Sequence, residues 1–286
     1  MPEASRQLSP DEYPAKLREI PQPPPHLYAR GAWPIKGTKL LTVVGSRALS
    51  GYGREACQML IAGLAGYPVS VVSGLALGTS AWAHKVALKA GLHCIAVPGS
   101  GLGDRTISPR TNAGLAQDIR KAGGLLLSEH PDDYQPHVYD FPSRNRIMVG
   151  LSDAVLMIEA GPKSGTLITG RLTHEYNRDL LCVPHRIADP HGFGANLFIR
   201  LGATLVSDPS HILEALGIEP RTSKTATLTL AGSPEEKILY DLLAEPLPKD
   251  ELIRASGLTP SDALTALVML ELKGMAKEEF GAWRRV

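Results

Sequence analysis

The sequence predicts an α/β protein: a mostly parallel sheet with helices on both faces, followed by a small helical domain that ends in a hairpin. Three observations carry this. From residue 40 onward, short apolar runs alternate with stretches of helical period. The runs lack polar alternation, which marks strands covered on both faces. Glycine and serine collect where those runs end, at the edge where a doubly wound sheet binds ligands.

Residues 1–39 are rich in proline, with Pro21, Pro23, Pro24 and Pro25. Proline fixes φ and removes a donor, so an extended arm is expected, pinned by Tyr13, Leu17, Ile20, Leu27, Tyr28 and Trp33. The core spans 40–217. Strands are expected at 40–44, 69–73, 94–97, 125–128, 154–158, 180–183 and 204–206. Helices are expected at 54–65, 80–90, 115–122, 166–177 and 195–201, with 208–216 closing the domain. Right-handed crossovers would join them into a parallel sheet. Residues 218–233 are polar, include Pro220, and read as a linker. In 234–286, helices are expected at 234–243, 249–256 and 259–273. Pro234 opens the first, Gly257 ends the second and Gly274 stops the third. A hairpin turning at Phe280-Gly281 completes a winged helix-turn-helix.

The 286 residues suffice for one large core and one small domain. The net charge of +1 announces no polyanion, but its distribution is uneven. Residues 230–286 carry 7 Lys/Arg against 10 Asp/Glu, and the remaining chain carries 23 against 19. A polyanion site therefore belongs to the large domain, as a local cluster. Cys57, Cys94 and Cys182 have no CxxC spacing, so a reduced cytoplasmic protein with buried thiols is expected, and no zinc site. No export signal and no membrane span are read from the sequence.

The first strand ends in Gly45, Ser46 and Arg47, where small residues let a ligand approach the backbone and Arg47 can clamp a phosphate. Arg47 stands where a dinucleotide fingerprint needs a small residue. The second strand closes on Ser73 and Gly74, not on an acid. NAD is disfavoured on both grounds. The third strand leads through a glycine-rich loop to Arg110 and Asn112. Phe141, Arg144, Asn145 and Arg146 stand at a helix start. The strand at 154–158 runs into Gly161-Pro162-Lys163-Ser164-Gly165-Thr166, a turn expected to point amides outward at an anion. Each stretch alone is also an ordinary turn with solvated charges. Five cations on one rim of a nearly neutral chain argue otherwise. No catalytic signature of the GxSxG, HExxH or Walker type is present. Glu159 is expected to order a loop by accepting amide bonds, and His84 to be packed within its helix.

Taken together, VVGSR (43–47), SGLALGTSAWAHKVAL (73–88), AVPGSGL (96–102), PRTN (109–112), FPSRNRIMVGLSDAVLMIEAGPKSGTLIT (141–169), NRDLLCVP (177–184) and GANLFIRLGA (194–203) resemble the DNA processing protein A family, DprA or Smf. The resemblance implies an extended Rossmann-like core that binds single-stranded DNA, protects it and loads the RecA recombinase, notably in natural transformation. It implies a homodimer, no cofactor and no enzymatic reaction. The expected DNA-binding set is Gly45, Ser46, Arg47, Ser73, Gly74, Arg110, Asn112, Phe141, Arg144, Asn145, Arg146, Lys163, Ser164, Gly165 and Thr166. Four positions depart from the family pattern. Thr79-Ser80 replaces Ile-Asp, Val138 stands where lysine is common, and His185 where glycine is.

An alternative is an enzyme acting on nucleotides, of the lysine-decarboxylase-like phosphoribohydrolase type. A duplex-reading regulator is disfavoured by the acidic winged helix, which reads instead as a protein-contact module. Phe198, Ile199, Leu201, Ile212 and Leu213 offer more apolar surface than a closing helix needs, and suggest a two-fold interface.

Overall fold

The computed structural model describes residues 4–220, 233–279 and 281–285, and divides into two units, Met1–Pro220 and Arg221–Val286. The larger is built on one sheet. Its strands are β1 (Arg6–Leu8), β2 (Leu27–Gly31), β3 (Lys39–Val44), β4 (Val69–Ser73), β5 (His93–Ala96), β6 (Leu125–Ser128), β7 (Ala154–Met157), β8 (Asp179–Cys182) and β9 (Thr204–Leu205). They lie in the order β1-β2-β6-β5-β4-β3-β7-β8-β9. From β6 to β9 every pairing is parallel, and β1 and β2 add on antiparallel.

The helices are α1 (Ala15–Arg18), α2 (Gly51–Ala62), α3 (Thr79–Lys89), α4 (Ala113–Lys121), α5 (Asp140–Ser143), α6 (Asn145–Leu151), α7 (Thr166–Glu175), α8 (Phe193–Arg200) and α9 (Pro209–Ala215). Successive β3 residues point to opposite faces, and both faces are apolar. Leu41 and Val43 join a core with α2, α3, α4 and α9. Leu40 and Val44 join another with α1, α6, α7 and α8. This two-sided burial is why the strands were legible as unbroken apolar runs.

The topology places the site. From β3 the chain builds outward through β4, β5 and β6, then returns to β7 on the other side of β3. The loop after β3 leads into α2 on one face, and the loop after β7 into α7 on the other. They diverge, leaving a crevice at the carboxyl ends of β3, β4 and β7.

The expected arm at 1–39 is corrected. Residues 27–31 form β2 and pair with β6, from Tyr28↔Ser128 to Gly31↔Leu125. The prolines fall between α1 and β2, so β2 keeps its donors. Leu17, Ile20 and Leu27 are buried in the second core. Helix α2 begins before the expected residue 54, because the Ser50 hydroxyl accepts the Gly53 amide at 2.9 Å and caps it. Cys57, Cys94 and Cys182 are free and buried, and burial pushes each thiol up to about 12.

The smaller unit has its own core of Leu239, Leu252, Leu267, Leu270 and Trp283. Its helices are α10 (Pro234–Leu242), α11 (Lys249–Ser256) and α12 (Pro260–Leu272). Its strands are β10 (Leu247–Pro248), β11 (Ala276–Glu279) and β12 (Ala282–Arg285), in the order β10-β12-β11. Ser233 and Thr259 cap α10 and α12, and Gly257 ends α11 at φ 66°. Of the expected linker 218–233, residues 221–232 lie outside the described residues, as does Phe280 of the hairpin turn.

His84 is buried in α3, as expected, and neither ring nitrogen has a partner within hydrogen-bond geometry. Burial drives its pKa down to about 4, against a smaller pull from the Ser73 backbone and with some help from the Arg144 charge. The unfolded chain therefore binds the extra proton between about pH 4 and pH 6.5. Stability is expected to fall as the pH drops through that window, by up to about 3 kcal/mol. Urea melts at both ends of the window should show His84→Leu losing clearly less than wild type. Equal losses would contradict this reading.

Candidate functional site

The crevice holds a cavity of about 780 Å³. Every candidate residue from the sequence lines it except Arg110, Asn112 and Arg146. No described lining residue is acidic.

The first wall is the loop after β3. Gly45 O accepts the Thr166 hydroxyl at 3.0 Å, and Ser46 O accepts the Thr79 amide at 3.0 Å. The approach to α3 is so close that a Cβ at Gly45 would lie 2.4 Å from Thr79 Oγ1. The Ser46 hydroxyl accepts the Ala48 amide at 3.0 Å and tightens the turn. Glu159 is fully buried and accepts the Ser50 amide at 3.0 Å and the Ser50 hydroxyl at 2.7 Å. It orders the loop, as the sequence suggested. Arg47 stays exposed, its guanidinium 5.5 Å from the centroid of Phe141.

The second wall holds the central charge. Arg144 is only 6% exposed. Its Nη1 donates to Val97 O at 2.7 Å and its Nε to Phe141 O at 3.2 Å. The guanidinium lies against Gly74, where a Cβ would come within 1.5 Å of Nη1. Burial first, and then the Arg47 charge, lower the Arg144 pKa to about 10, which leaves it charged at neutral pH. No ion pair among the described residues neutralises it. A desolvated cation without a counter-ion, on a cavity without acids, is matched by an anionic ligand.

The third wall is the turn into α7. The amides of Thr166, Leu167 and Ile168 are bonded to Ser164 Oγ, Ser164 O and Gly165 O. The expected outward amides at these positions are therefore used within the turn. Its visible offering is the exposed Lys163. Asn145 Nδ2 donates to Thr169 Oγ1 at 3.1 Å and ties α6 to α7. Ser80 places its hydroxyl 2.7 Å from that of Ser73, which donates to Val43 O at 2.6 Å.

Three candidates lie elsewhere. Arg146 forms a two-pronged pair with Glu129, at 2.6 Å from Nη1 and 2.5 Å from Nη2, which neutralises it. Arg110 is exposed and donates to Asp104 O. Asn112 is buried and donates to Leu75 O at 2.8 Å and Ala76 O at 3.2 Å, bracing the loop after β4. The sequence reading missed Leu77, Met148, Ile168 and His191, which also line the cavity. Nothing in their local sequence separates them from ordinary helix and loop residues. Val138, 87% exposed, also lines it. Beside it, the His137 and Tyr139 rings stack at 5.4 Å.

In the smaller unit, α12 exposes Leu264, Val268 and Leu272 at helical spacing, not a basic face. Among the described residues, no helix is long and apolar enough to cross a membrane, and no His/Cys/Asp/Glu group could hold a metal.

Comparison with known proteins identifies the family of the chain. The chain matches the family described as DNA recombination-mediator protein A over residues 6–217, and the DprA winged helix domain over 222–281. It is 36% identical to Protein Smf of Escherichia coli (strain K12) over 282 residues, 96% of this chain and 75% of that protein. It is 38% identical to the DNA processing protein DprA of Streptococcus pneumoniae over 203 residues, 71% of this chain and 71% of that protein. The X-ray structure of S. pneumoniae DprA superposes with a TM-score of 0.69 at 36% identity, covering 73% of this chain and 74% of that one. Helicobacter pylori DNA processing protein A, whose structure is described for its single-stranded DNA binding mode, superposes at 0.65 with 28% identity, over 74% of this chain and 95% of that one. With both segments matched and this identity sustained over most of its length, the chain belongs to the DprA/Smf family of DNA recombination-mediator proteins.

Proposed function

We propose that this protein binds single-stranded DNA in the β3/β4/β7 crevice, protects it and helps load a RecA-type recombinase in natural transformation and recombination. It acts in the cytoplasm, as a homodimer, with no cofactor and no reaction of its own. The observation that carries the proposal is Arg144, a buried cation without a counter-ion facing a cavity without acids. Arg47 and Lys163 flank it, and the Phe141 ring beneath Arg47 offers a stacking face to an unpaired base. A nucleotide hydrolase of the alternative type needs an acid at the reacting bond, and among the described residues none lines this cavity.

Fluorescence anisotropy with labelled oligothymidine tests the proposal. Tight binding that excess duplex competes for poorly is expected. Incubation with nucleoside monophosphates is expected to release no base. Base release without strand binding would favour the hydrolase instead.

The dimer rests on the β9 edge. β9 pairs only with β8 among the described residues, and Leu201 just before it and Leu205 on it are 67% and 44% exposed. Ile212 and Leu213, counted from the sequence toward this surface, are buried in the core and contribute nothing to it. Light scattering at micromolar concentration should give twice the chain mass. A monomer there would remove the dimer from the account.

A further inference from the structure

A second groove adjoins the crevice. It has a volume of about 420 Å³ and is lined by Arg47, Arg54, Leu77, Trp82, Lys85 and Asn112 among others, with no acid among the described residues that line it. Its volume falls within the roughly 300–1,000 Å³ typical of ligand pockets. Arg47 and Leu77 line both cavities, so the two adjoin at the loops after β3 and β4.

Arg47, Arg54 and Lys85 are exposed, and none has an ion-pair partner among the described residues. Like charges gathered without an acid favour an anion between them. The groove is more than a solvated face, because one of its walls is fixed. Trp82 Nε1 donates to Arg54 O at 3.1 Å, and the Arg54 guanidinium lies 4.8 Å from the centroid of the indole. The guanidinium lies over the indole while Arg54 stays exposed, which leaves it accessible to a base. A nucleobase stacks on such a plane without regard to its identity. Asn112 braces the loop between the cavities through Leu75 O and Ala76 O, and Leu77, 48% exposed, gives an apolar saddle for a sugar or base.

We propose that this groove takes the next nucleotide of the same single strand, with its base on the Arg54–Trp82 stack and its phosphate between Arg47 and Lys85. The proposal rests on the single-strand reading of the crevice and extends it. The strand would then run from the Arg144 cavity across Leu77 onto the face formed by α2 and α3.

Oligomer length separates the two sites. A thymidine trinucleotide is accommodated in the crevice alone, whereas an oligomer of roughly ten nucleotides reaches both sites. Arg54→Ala with Lys85→Ala is expected to leave trinucleotide affinity unchanged and to weaken the longer oligomer by about tenfold or more, the worth of one stacked base. The lost phosphate contact should flatten the longer oligomer's salt slope by about 0.7. In a background of Trp33→Phe and Trp283→Phe, Trp82 is the sole indole, and its emission should change with the longer oligomer but not with the trinucleotide. Unchanged affinity at both lengths, or a silent Trp82, would overturn the second site. Equal losses at both lengths would overturn it too, by showing a general field rather than a local contact. If wild type binds neither oligomer, the parent reading fails first, and that result is distinct from all of these.

Discussion

Arg144→Met is expected to weaken oligothymidine binding by about a hundredfold, close to the ~3 kcal/mol carried by a charge-assisted contact in a desolvated site. The free protein should be no less stable. The wild-type cation is desolvated and meets two carbonyl oxygens and the Met148 sulfur, none of them a counter-ion. Removing such a charge is often neutral or stabilising by about 1–4 kcal/mol, while leaving Val97 O without its donor costs about 1–3 kcal/mol. The two terms nearly cancel. Methionine keeps the apolar stem that packs in the wall. Saturating oligothymidine should therefore raise the melting temperature of wild type by linkage and scarcely move that of the variant. A ligand-free variant destabilised by more than about 3 kcal/mol would mark Arg144 as a structural strut, not a ligand-binding cation.

Gly74→Ala should have a comparable effect without deleting any charge. The added Cβ would fall 1.5 Å from Arg144 Nη1 and 2.3 Å from Cζ, so the guanidinium must leave its place. The backbone at Gly74 is not at positive φ, so alanine brings no conformational strain of its own. Arg144 can swing toward solvent, where its charge is hydrated, so folding stability should change little. Affinity should fall by at least about tenfold, because a charge displaced from a pre-organised position loses most of its directed bonding. Wild-type affinity in this variant would show that the placement of Arg144 against Gly74 does not matter. Both variants together should be no worse than Arg144→Met alone, since they disable one group.

These two positions show what the sequence carries and what it does not. The strands were legible because burial on both faces leaves apolar runs such as 125–127 and 154–157. Arg47, Gly74 and Lys163 were legible because they stand at strand ends, and the switch point beside β3 brings those ends together. The partners of the cations were not legible. Arg146 and Arg144 are two residues apart and looked alike. One reaches Glu129 on the loop after β6 and is neutralised, and the other turns into the cavity wall. The choice depends on tertiary placement, not on local spacing. β2 was hidden because the prolines before it read as an arm, although only residues 27–31 enter the ladder. Arg54, Trp82 and Lys85 read as ordinary helix residues. They become a groove only because α2 packs beside α3.

The most direct test of the central claim is the salt dependence of oligothymidine binding by wild type and Arg47→Ala. Arg47 is exposed, sits over Phe141 and lines the cavity, so its removal should not disturb the fold. If the strand's phosphates run through the crevice, the log–log slope should flatten by about 0.7 for the one lost contact, with affinity reduced most at low salt. A variant with wild-type affinity and an unchanged slope would show that the strand does not pass over Gly45-Ser46-Arg47.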